Sequence, residues 1–170
     1  MGLDISAYRG LQEVADADLD EDGLPVDENL WLAGKLIIEI TEEHWPGRSA
    51  GVTPGVYSFA EAFHFRAGSY TGFGLWRDAL ARLVLRMSAE QVWAARPEGP
   101  FVELIDFADN EGVIGPRVAA KLAKDFADHA AIAMAHVSDD DDEHGWFSEL
   151  YREWQRAFEL AADGGAVHFH

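Results

Sequence analysis

The chain has 170 residues, of which 48% are hydrophobic, 31 are acidic and 13 are basic, so its formal net charge is −18. The apolar content excludes a globally disordered protein, and the length suits a single domain spanning residues 1–170. The absence of cysteine excludes disulfides and thiolate chemistry, and the acidity argues against direct binding of a nucleic-acid duplex.

The acidic residues are concentrated at the two ends of the chain. Residues 1–43 carry 12 acidic and 2 basic side chains, and residues 139–170 carry 9 and 2. The segment 44–138 is nearly balanced, with 10 acidic and 9 basic side chains. The central segment is therefore where we expect a small anionic ligand to bind.

The N-terminal half is predicted to be mostly β-structure. Residues 2–8 alternate apolar and polar side chains, as a half-buried strand does. An acidic loop follows at 16–23, and the apolar, partly β-branched run 30–40 is typical of a strand. Residues 56–59 and 62–67 indicate a hairpin or two adjacent strands, after turns marked by proline and glycine.

The C-terminal half is predicted to be mostly helical. The first helix carries an apolar stripe at helical spacing, made of Phe73, Trp76, Leu80, Leu83, Val84 and Met87. A buried strand is predicted at 101–107. A second helix opens at Gly115-Pro116, with an inner face of Val118, Leu122, Phe126 and Ala130. The acidic run 139–143 precedes a third helix whose inner face is Phe147, Leu150, Tyr151, Trp154, Phe158 and Ala161.

A short strand at 166–170 is predicted to follow the glycine pair that ends the third helix. Strands early and helices late predict an α+β fold, with a mostly antiparallel sheet from the N-terminal half packed against about three helices. The N-terminus lacks the pattern of a signal peptide, and no apolar run reaches the length of a bilayer span. We therefore expect a cytoplasmic protein with no membrane partner.

Five segments, which together extend over most of the chain, carry a resemblance to a known group of proteins. They are MGLDISAYR (1–9), FRAGSYTG (65–72) with Trp76-Arg77, ELIDFADNEGVIGP (103–116), AKLAKDF (120–126) and FELAAD (158–163). In these segments the chain resembles a family of small acidic proteins encoded by bacteriophages and prophages. The resemblance implies a phage-encoded protein of the host-cell cytoplasm that blocks a host defence, and it implies no catalytic residues.

The strongest candidate binding site is the glycine-flanked turn that leads into the first helix. Such a turn presents free backbone N–H groups, and the helix dipole favours an anion there. The predicted ligand contacts come from a hydroxyl, two aromatic rings and two guanidinium groups that suit phosphate or carboxylate: Arg66, Ser69, Tyr70, Trp76 and Arg77. The glycine pattern matches neither a Walker loop nor a dinucleotide fingerprint, so an ordinary strand–turn–helix junction is the alternative.

A second candidate consists of Asp106, Asp109 and Glu111, which precede the second long helix. These carboxylates can hydrogen-bond ribose hydroxyls or bind a metal, and they can equally form the turn and cap the helix. No metal is assigned to them, because no histidine lies near them in sequence.

Two further patterns carry weaker signals. The acidic loop at 18–23 matches only the first half of a calcium loop, since the twelfth position is Asn29 rather than glutamate. His129 and His136 share a predicted helix face, and His168 and His170 share a predicted strand face, so a metal site would need all four to meet. A solvated loop and separate histidines are the preferred interpretations.

The leading hypothesis is a non-enzymatic binding protein that sequesters a small phosphate-bearing nucleotide signal without turnover and needs no cofactor. One alternative is an acidic DNA mimic that inhibits a host nucleic-acid-binding protein. A second is a metal-dependent nucleotide hydrolase built on the three carboxylates. A host defence protein is a further candidate partner. A homo-oligomer, in which a second copy completes the site, is an alternative that the sequence leaves open.

Overall fold

Seven strands and six helices make up the described part of the chain, residues 2–137 and 145–170 of the computed structural model. The strands are β1 (Leu3–Arg9), β2 (Gln12–Glu13), β3 (Leu30–Ala33), β4 (Gly55–Ser58), β5 (Glu61–Gly68), β6 (Gly112–Ile114) and β7 (Ala166–Phe169). The helices are α1 (Lys35–His44), α2 (Tyr70–Leu85), α3 (Ala89–Ala95), α4 (Val102–Ile105), α5 (Pro116–Val137) and α6 (Gly145–Ala161). The predicted α+β class is confirmed.

The main sheet has four antiparallel strands in the order β5-β1-β7-β6. The predicted alternation along β1 is confirmed, because Leu3, Ile5 and Ala7 are fully buried on one face of the sheet. Strands β6 and β7 come from the C-terminal half of the chain, so the sheet is not built from the N-terminal half alone. The predicted terminal strand pairs with β1 at the centre of this sheet.

The buried face of the main sheet packs against α2, α5 and α6 and forms the larger of two hydrophobic clusters. The predicted stripe of the third helix is confirmed, since Phe147, Leu150, Tyr151, Trp154, Phe158 and Ala161 are all buried. In α5, Leu122 and Phe126 are fully buried, whereas Val118 and Ala130 are partly buried at the edge of the cluster. Helical periodicity therefore located the long helices and their inner faces.

A smaller antiparallel sheet, in the order β2-β4-β3, contributes to a second cluster on the opposite side of the main sheet. Trp31 and Tyr57 are directly opposed across β3 and β4, and Tyr8 of the main sheet stacks on Trp31 with ring centroids 4.9 Å apart. The two strands predicted as a hairpin or as neighbours, β4 and β5, are therefore in different sheets. Strand β5 pairs with β1 instead.

The prediction of one strand over residues 30–40 is wrong beyond residue 33. Strand β3 stops at Ala33, and α1 begins at Lys35. In α1, Ile38 and Thr41 are buried three residues apart, whereas Leu36 is 67% exposed. The run is mostly apolar, but only one side of its second half reaches the second cluster, and a helix provides that one-sided burial.

The predicted buried strand at 101–107 is also wrong, although its burial is correct. Phe101 adopts a left-handed backbone conformation with φ of 59°, and the one-turn helix α4 follows. Phe101, Leu104 and Ile105 are fully buried. Short apolar runs do not distinguish a buried strand from a buried turn of helix, and here helix α3, which the sequence did not reveal, packs beside α4.

The acidic run 139–143 lies outside the described residues. Among the helices within them, none combines the length and apolar character needed to cross a membrane.

Candidate functional site

The turn that opens α2 is a capped helix start. Ser69 is the N-cap residue, and its Oγ accepts a hydrogen bond from the backbone N–H of Gly72 at 3.0 Å. Tyr70 is 37% exposed and starts the first helical turn. The cap uses the Ser69 oxygen that the sequence assigned to a ligand, so this side chain already has a structural role.

Trp76 does not face a ligand cavity. Its side chain is fully buried between α2 and α6, and its Nε1 donates to the backbone oxygen of Phe147 at 3.2 Å. Its ring is 6.1 Å, centroid to centroid, from that of Trp154 in the main hydrophobic cluster. The ring therefore cannot stack on a bound base without unfolding of this cluster.

Arg77 is the most deeply buried charged residue at the site, with 3% of its surface exposed. Its Nη1 donates to the backbone oxygen of Phe107 at 2.7 Å. The guanidinium carbon lies 4.5 Å from the ring centroid of Phe73 and 5.4 Å from that of Trp93. Burial lowers the pKa of Arg77, and nearby Asp109 and Asp106 oppose that shift. An arginine retains its positive charge under these conditions.

Three side chains from different parts of the chain donate to the backbone carbonyls of α4 and the residues after it. Arg48 donates through Nε to Glu103 at 3.2 Å and through Nη2 to Asp106 at 3.4 Å. The indole Nε1 of Trp93 donates to Ile105 at 2.7 Å. Together with Arg77, these donors satisfy carbonyls that a helix end leaves without partners. Two fixed guanidinium groups and an indole are thereby gathered on one side of the molecule.

Beside these donors lie two adjoining cavities, of about 250 and 230 Å³, which share Trp45 and Asp106 as lining residues. We call their combined space the two-tryptophan cleft. Among the residues that line it are two tryptophans, three arginines and three carboxylates: Trp45, Trp93, Arg48, Arg77, Arg96, Glu103, Asp106 and Asp109. The cleft thus joins the C-terminal end of α1 to α3 and to the turn after α4.

The arginines of the two-tryptophan cleft differ in how strongly they interact with neighbouring carboxylates. Burial lowers the pKa of Arg48, while Glu103 and Asp106 oppose the shift. Arg96 differs, because its side chain is 69% exposed and its nearest carboxylate atom, on Asp106, is 3.8 Å away. A long ion pair in which the arginine is exposed contributes little to stability. Arg96 is therefore the cleft arginine that can most readily turn to an incoming anion.

The two arginines expected to act together are in separate places. Arg66 is exposed and lines a cavity of about 400 Å³ between β5 and the start of α6. That cavity also contains Glu149 and Glu153, which oppose an anion. Arg77 lines the two-tryptophan cleft instead. The predicted set Arg66, Ser69, Tyr70, Trp76 and Arg77 is thus divided among a cavity, a helix cap, the surface, the core and the cleft.

The predicted carboxylates are partly brought together. Asp106 and Asp109 both line the two-tryptophan cleft, with Asp106 the more enclosed of the two. Glu111 is exposed and is not among the residues that line the cleft. The part of the second candidate that joins Arg77 is therefore Asp106 with Asp109.

Comparison of the chain with protein-family models, with curated proteins and with solved structures gave no match in any of the three. The function therefore has to be argued from the site itself.

Four residues of the two-tryptophan cleft were absent from the sequence prediction: Trp45, Arg48, Trp93 and Arg96. Trp45 and Arg48 flank the Pro46-Gly47 turn, and Trp93 and Arg96 lie in a stretch assigned to no element. A signal was present in the repeated pattern of one tryptophan followed three residues later by one arginine. Nothing in the sequence placed the two copies beside each other.

The weaker patterns also have definite places. In the acidic loop, Asp20 Oδ1 accepts from the backbone N–H groups of Asp22 and Leu24, at 3.0 and 2.8 Å. His129 bonds the backbone oxygen of Asp125 on α5, far in sequence from the histidines of β7. Within residues 2–137 and 145–170, no group of three or more His, Asp or Glu side chains is arranged to hold a metal.

Proposed function

We propose that the protein is a binding protein for a small, nucleotide-like anion, which it captures in the two-tryptophan cleft. The observation that carries the proposal is the joining of Trp45 and Trp93 with Arg96 and Arg77 in one cleft of a chain whose net charge is −18. A nucleotide combines a flat aromatic base with a phosphate, so it needs both kinds of side chain.

The arrangement supports a division of roles among the cleft residues. The indole N–H of Trp93 is bonded to Ile105 while the residue is 43% exposed, so its ring is held in place and remains partly accessible to solvent. A fixed aromatic ring loses little conformational entropy when a base stacks on it. Arg96 supplies the mobile charge. The half-buried Arg48 and the buried Arg77 supply fixed positive charge, which the carboxylates of the cleft offset in part.

Asp106 lets the cleft discriminate between nucleotides that carry different numbers of phosphates. Its carboxylate is 15% exposed and lies next to Arg96. A carboxylate in this position accepts hydrogen bonds from ribose hydroxyls or from a base amino group, and it repels a second phosphate placed nearby. We therefore expect a nucleoside monophosphate or a cyclic nucleotide to bind better than a triphosphate.

The resemblance to phage proteins gives the proposal a biological setting. A nucleotide-derived signal of a host defence would be sequestered by such a cleft, and sequestration requires binding without turnover. This setting is part of the proposal and rests on the resemblance alone.

Calorimetric titration with mononucleotides, cyclic nucleotides and ADP-ribose-type nucleotides tests the proposal directly. Stacking of a base on an aromatic ring contributes about 1–3 kcal/mol, so we expect Trp93→Ala to weaken binding by about tenfold or more. Arg96→Ala is expected to weaken binding and to reduce its dependence on salt.

Two exposed residues outside the two-tryptophan cleft provide matched controls. Trp146 has the same exposure as Trp93, 43%, but lines the cavity beside Arg66. Arg117 is an exposed arginine on α5. Trp146→Ala and Arg117→Ala are expected to bind as the unmodified protein does. The proposal fails if no nucleotide binds at micromolar concentration, or if folded Trp93→Ala and Arg96→Ala proteins bind as tightly as these controls.

A further inference from the structure

A polar grid covers the face of the main sheet that points away from α2, α5 and α6. In the register of the strands, Ser6 of β1 lies between His64 of β5 and His168 of β7. In the next row Asp4 is the partner of Arg66, and its backbone exchanges two hydrogen bonds with His170, at 2.9 and 3.0 Å. Paired residues of neighbouring strands point to the same face, so these six side chains share it.

A serine hydroxyl joins two of the imidazole rings of this grid. Ser6 Oγ is 2.9 Å from His64 Nδ1 and 2.9 Å from His170 Nε2. The hydroxyl has one proton, so it can donate to only one ring while it accepts from the other. If both rings are protonated, the same oxygen can accept from both. The Ser6 bridge is therefore compatible with either charge state of the pair, and the second nitrogen of each ring is not used by it.

The third histidine, His168, differs from the other two in its burial and in its hydrogen-bond partner. Trp31 Nε1 donates to His168 Nδ1 at 3.4 Å, which requires a lone pair on that nitrogen. Burial, with a smaller contribution from His170, lowers the pKa of His168 to about 4. His168 stacks on His170 with ring centroids 4.9 Å apart. His168 is thus an uncharged ring that packs against His170.

One end of the grid is closed and the other is open. Tyr8 lies at the closed end, in edge contact with His64 at 6.2 Å between centroids and stacked on Trp31, and burial raises its pKa. At the open end His64, Arg66 and His170 are all exposed. In the strand register, the charged residues of the row that adjoins Ser6 and His64 on this face are Arg66 on β5 and Asp4 on β1.

We propose that this open end is an oxyanion site, in which His64, His170 and Arg66 bind a phosphate- or sulfate-type group when the two imidazoles are protonated. The three side chains lie on one face of the main sheet, and Ser6 Oγ holds the two rings, since it is 2.9 Å from one nitrogen of each. The guanidinium of Arg66 lies beside Gly2 and borders the cavity that contains Glu149 and Glu153, so Arg66 has to turn toward the rings to join them. None of the three lines the two-tryptophan cleft, so this site is independent of the function proposed above. Asp4 opposes the anion and limits its affinity.

Sulfate is a suitable probe because it remains a dianion across the pH range in which histidine changes charge. Each exposed charge contact contributes modestly, so two protonated rings should make sulfate binding roughly tenfold tighter at about pH 5.5 than at about pH 8. Sulfate should also shift the imidazole NMR signals of His64 and His170. His64→Gln and His170→Gln are each expected to remove part of the pH dependence, and the double variant is expected to remove most of it.

Three further variants distinguish this site from general charge effects and from the cleft. Asp4→Asn is expected to tighten sulfate binding severalfold, whereas Asp16→Asn, which changes the net charge equally in an exposed loop, should leave it unchanged. Arg96→Ala, in the cleft, should not alter the His64 and His170 shifts. Sulfate affinity that does not depend on pH, or equal effects of Asp4→Asn and Asp16→Asn, would overturn the proposal.

Discussion

Arg77 shows how one residue can serve both the fold and the proposed site. Its guanidinium lies between the rings of Phe73 and Trp93 and donates to the backbone oxygen of Phe107. Its Nε is buried and has no hydrogen-bond partner. An unpaired buried donor costs free energy, which the cation–π contacts and the Nη1 bond offset in part. The side chain is therefore held by packing as well as by charge.

Replacement of Arg77 by alanine is expected to destabilise the protein by about 3 kcal/mol or more. The change leaves a cavity beneath Trp93 and removes the donor to Phe107. Arg82→Ala is the matched control one turn further along α2. Arg82 is 64% exposed and bonds Asp78 on the surface, so its loss should cost less than about 1 kcal/mol. Urea denaturation measures both, and equal free energies of unfolding would contradict this account.

At the scale of single elements, α2 illustrates how the start of a helix can resemble a ligand site. The glycines and the serine before it suit anion binding, but the same residues satisfy the helix end itself. Ser69 Oγ caps the backbone N–H of Gly72 at 3.0 Å. A capped end presents fewer free donors to an anion than an uncapped end does. The structural alternative for this turn is therefore the better supported one.

Ser69→Ala is expected to lower the free energy of unfolding by about 1 kcal/mol, because it removes the N-cap acceptor. Ser69→Asp should retain most of the stability, since aspartate also caps and its charge suits the N-terminal end of the helix dipole. Nucleotide affinity, measured calorimetrically on both folded variants, should stay unchanged. A loss of affinity without a loss of stability would return Ser69 to the ligand site.

The lengths of the helices and their connections explain which predicted elements were wrong. Helices α2, α5 and α6 are long, and each repeats its apolar residues over several turns, so periodicity identified them. Helix α4 has only four residues, and α1 follows a strand after a single glycine. An apolar run that is this short, or that is joined to a strand by one residue, does not show a clear helical period. Both were taken for strands because they are apolar.

At the scale of the whole molecule, two sheets share one polar contact through His168. Its Nδ1 accepts from Trp31 of the smaller sheet, and its ring is largely buried on the main sheet. Burial lowers its pKa to about 4, below the value of about 6.5 of an unfolded chain. Between these two pH values the unfolded state binds more protons at this residue. Stability therefore rises with pH across this window and is complete above it.

We expect the free energy of unfolding to fall by at most about 3 kcal/mol between about pH 7 and pH 4 on account of His168. His168→Asn keeps an acceptor near Trp31 but does not titrate, so it should flatten this part of the curve. His44→Asn, at an exposed position on α1, is the control and should leave the curve in place. Denaturation at several pH values measures the slope, and an unchanged slope in His168→Asn would contradict the assignment.

The fold brings charged residues of the central segment together in space. The central segment supplies Arg48, Arg77 and Arg96, and all three reach the turn after α4. The balanced charge of that segment was visible in the sequence, and Arg77 and Asp106 were predicted as ligand contacts of two separate candidate sites. The partners that complete the cleft were not visible, because they lie on α1, on α3 and in the connections beside them.

The sequence by itself determined the α+β class, the long helices, the buried face of β1 and the segment that holds the arginines. Each of these depends on local periodicity or composition, which neighbouring residues along the chain carry. Only the tertiary structure decided that Trp76 lies in the core while Arg77 reaches a cleft, and that Arg66 lies elsewhere. Those outcomes depend on which elements pack against each side chain, and such contacts join residues far apart in the chain: Arg77 and Phe107 are 30 positions apart, and Trp76 and Phe147 are 71 apart.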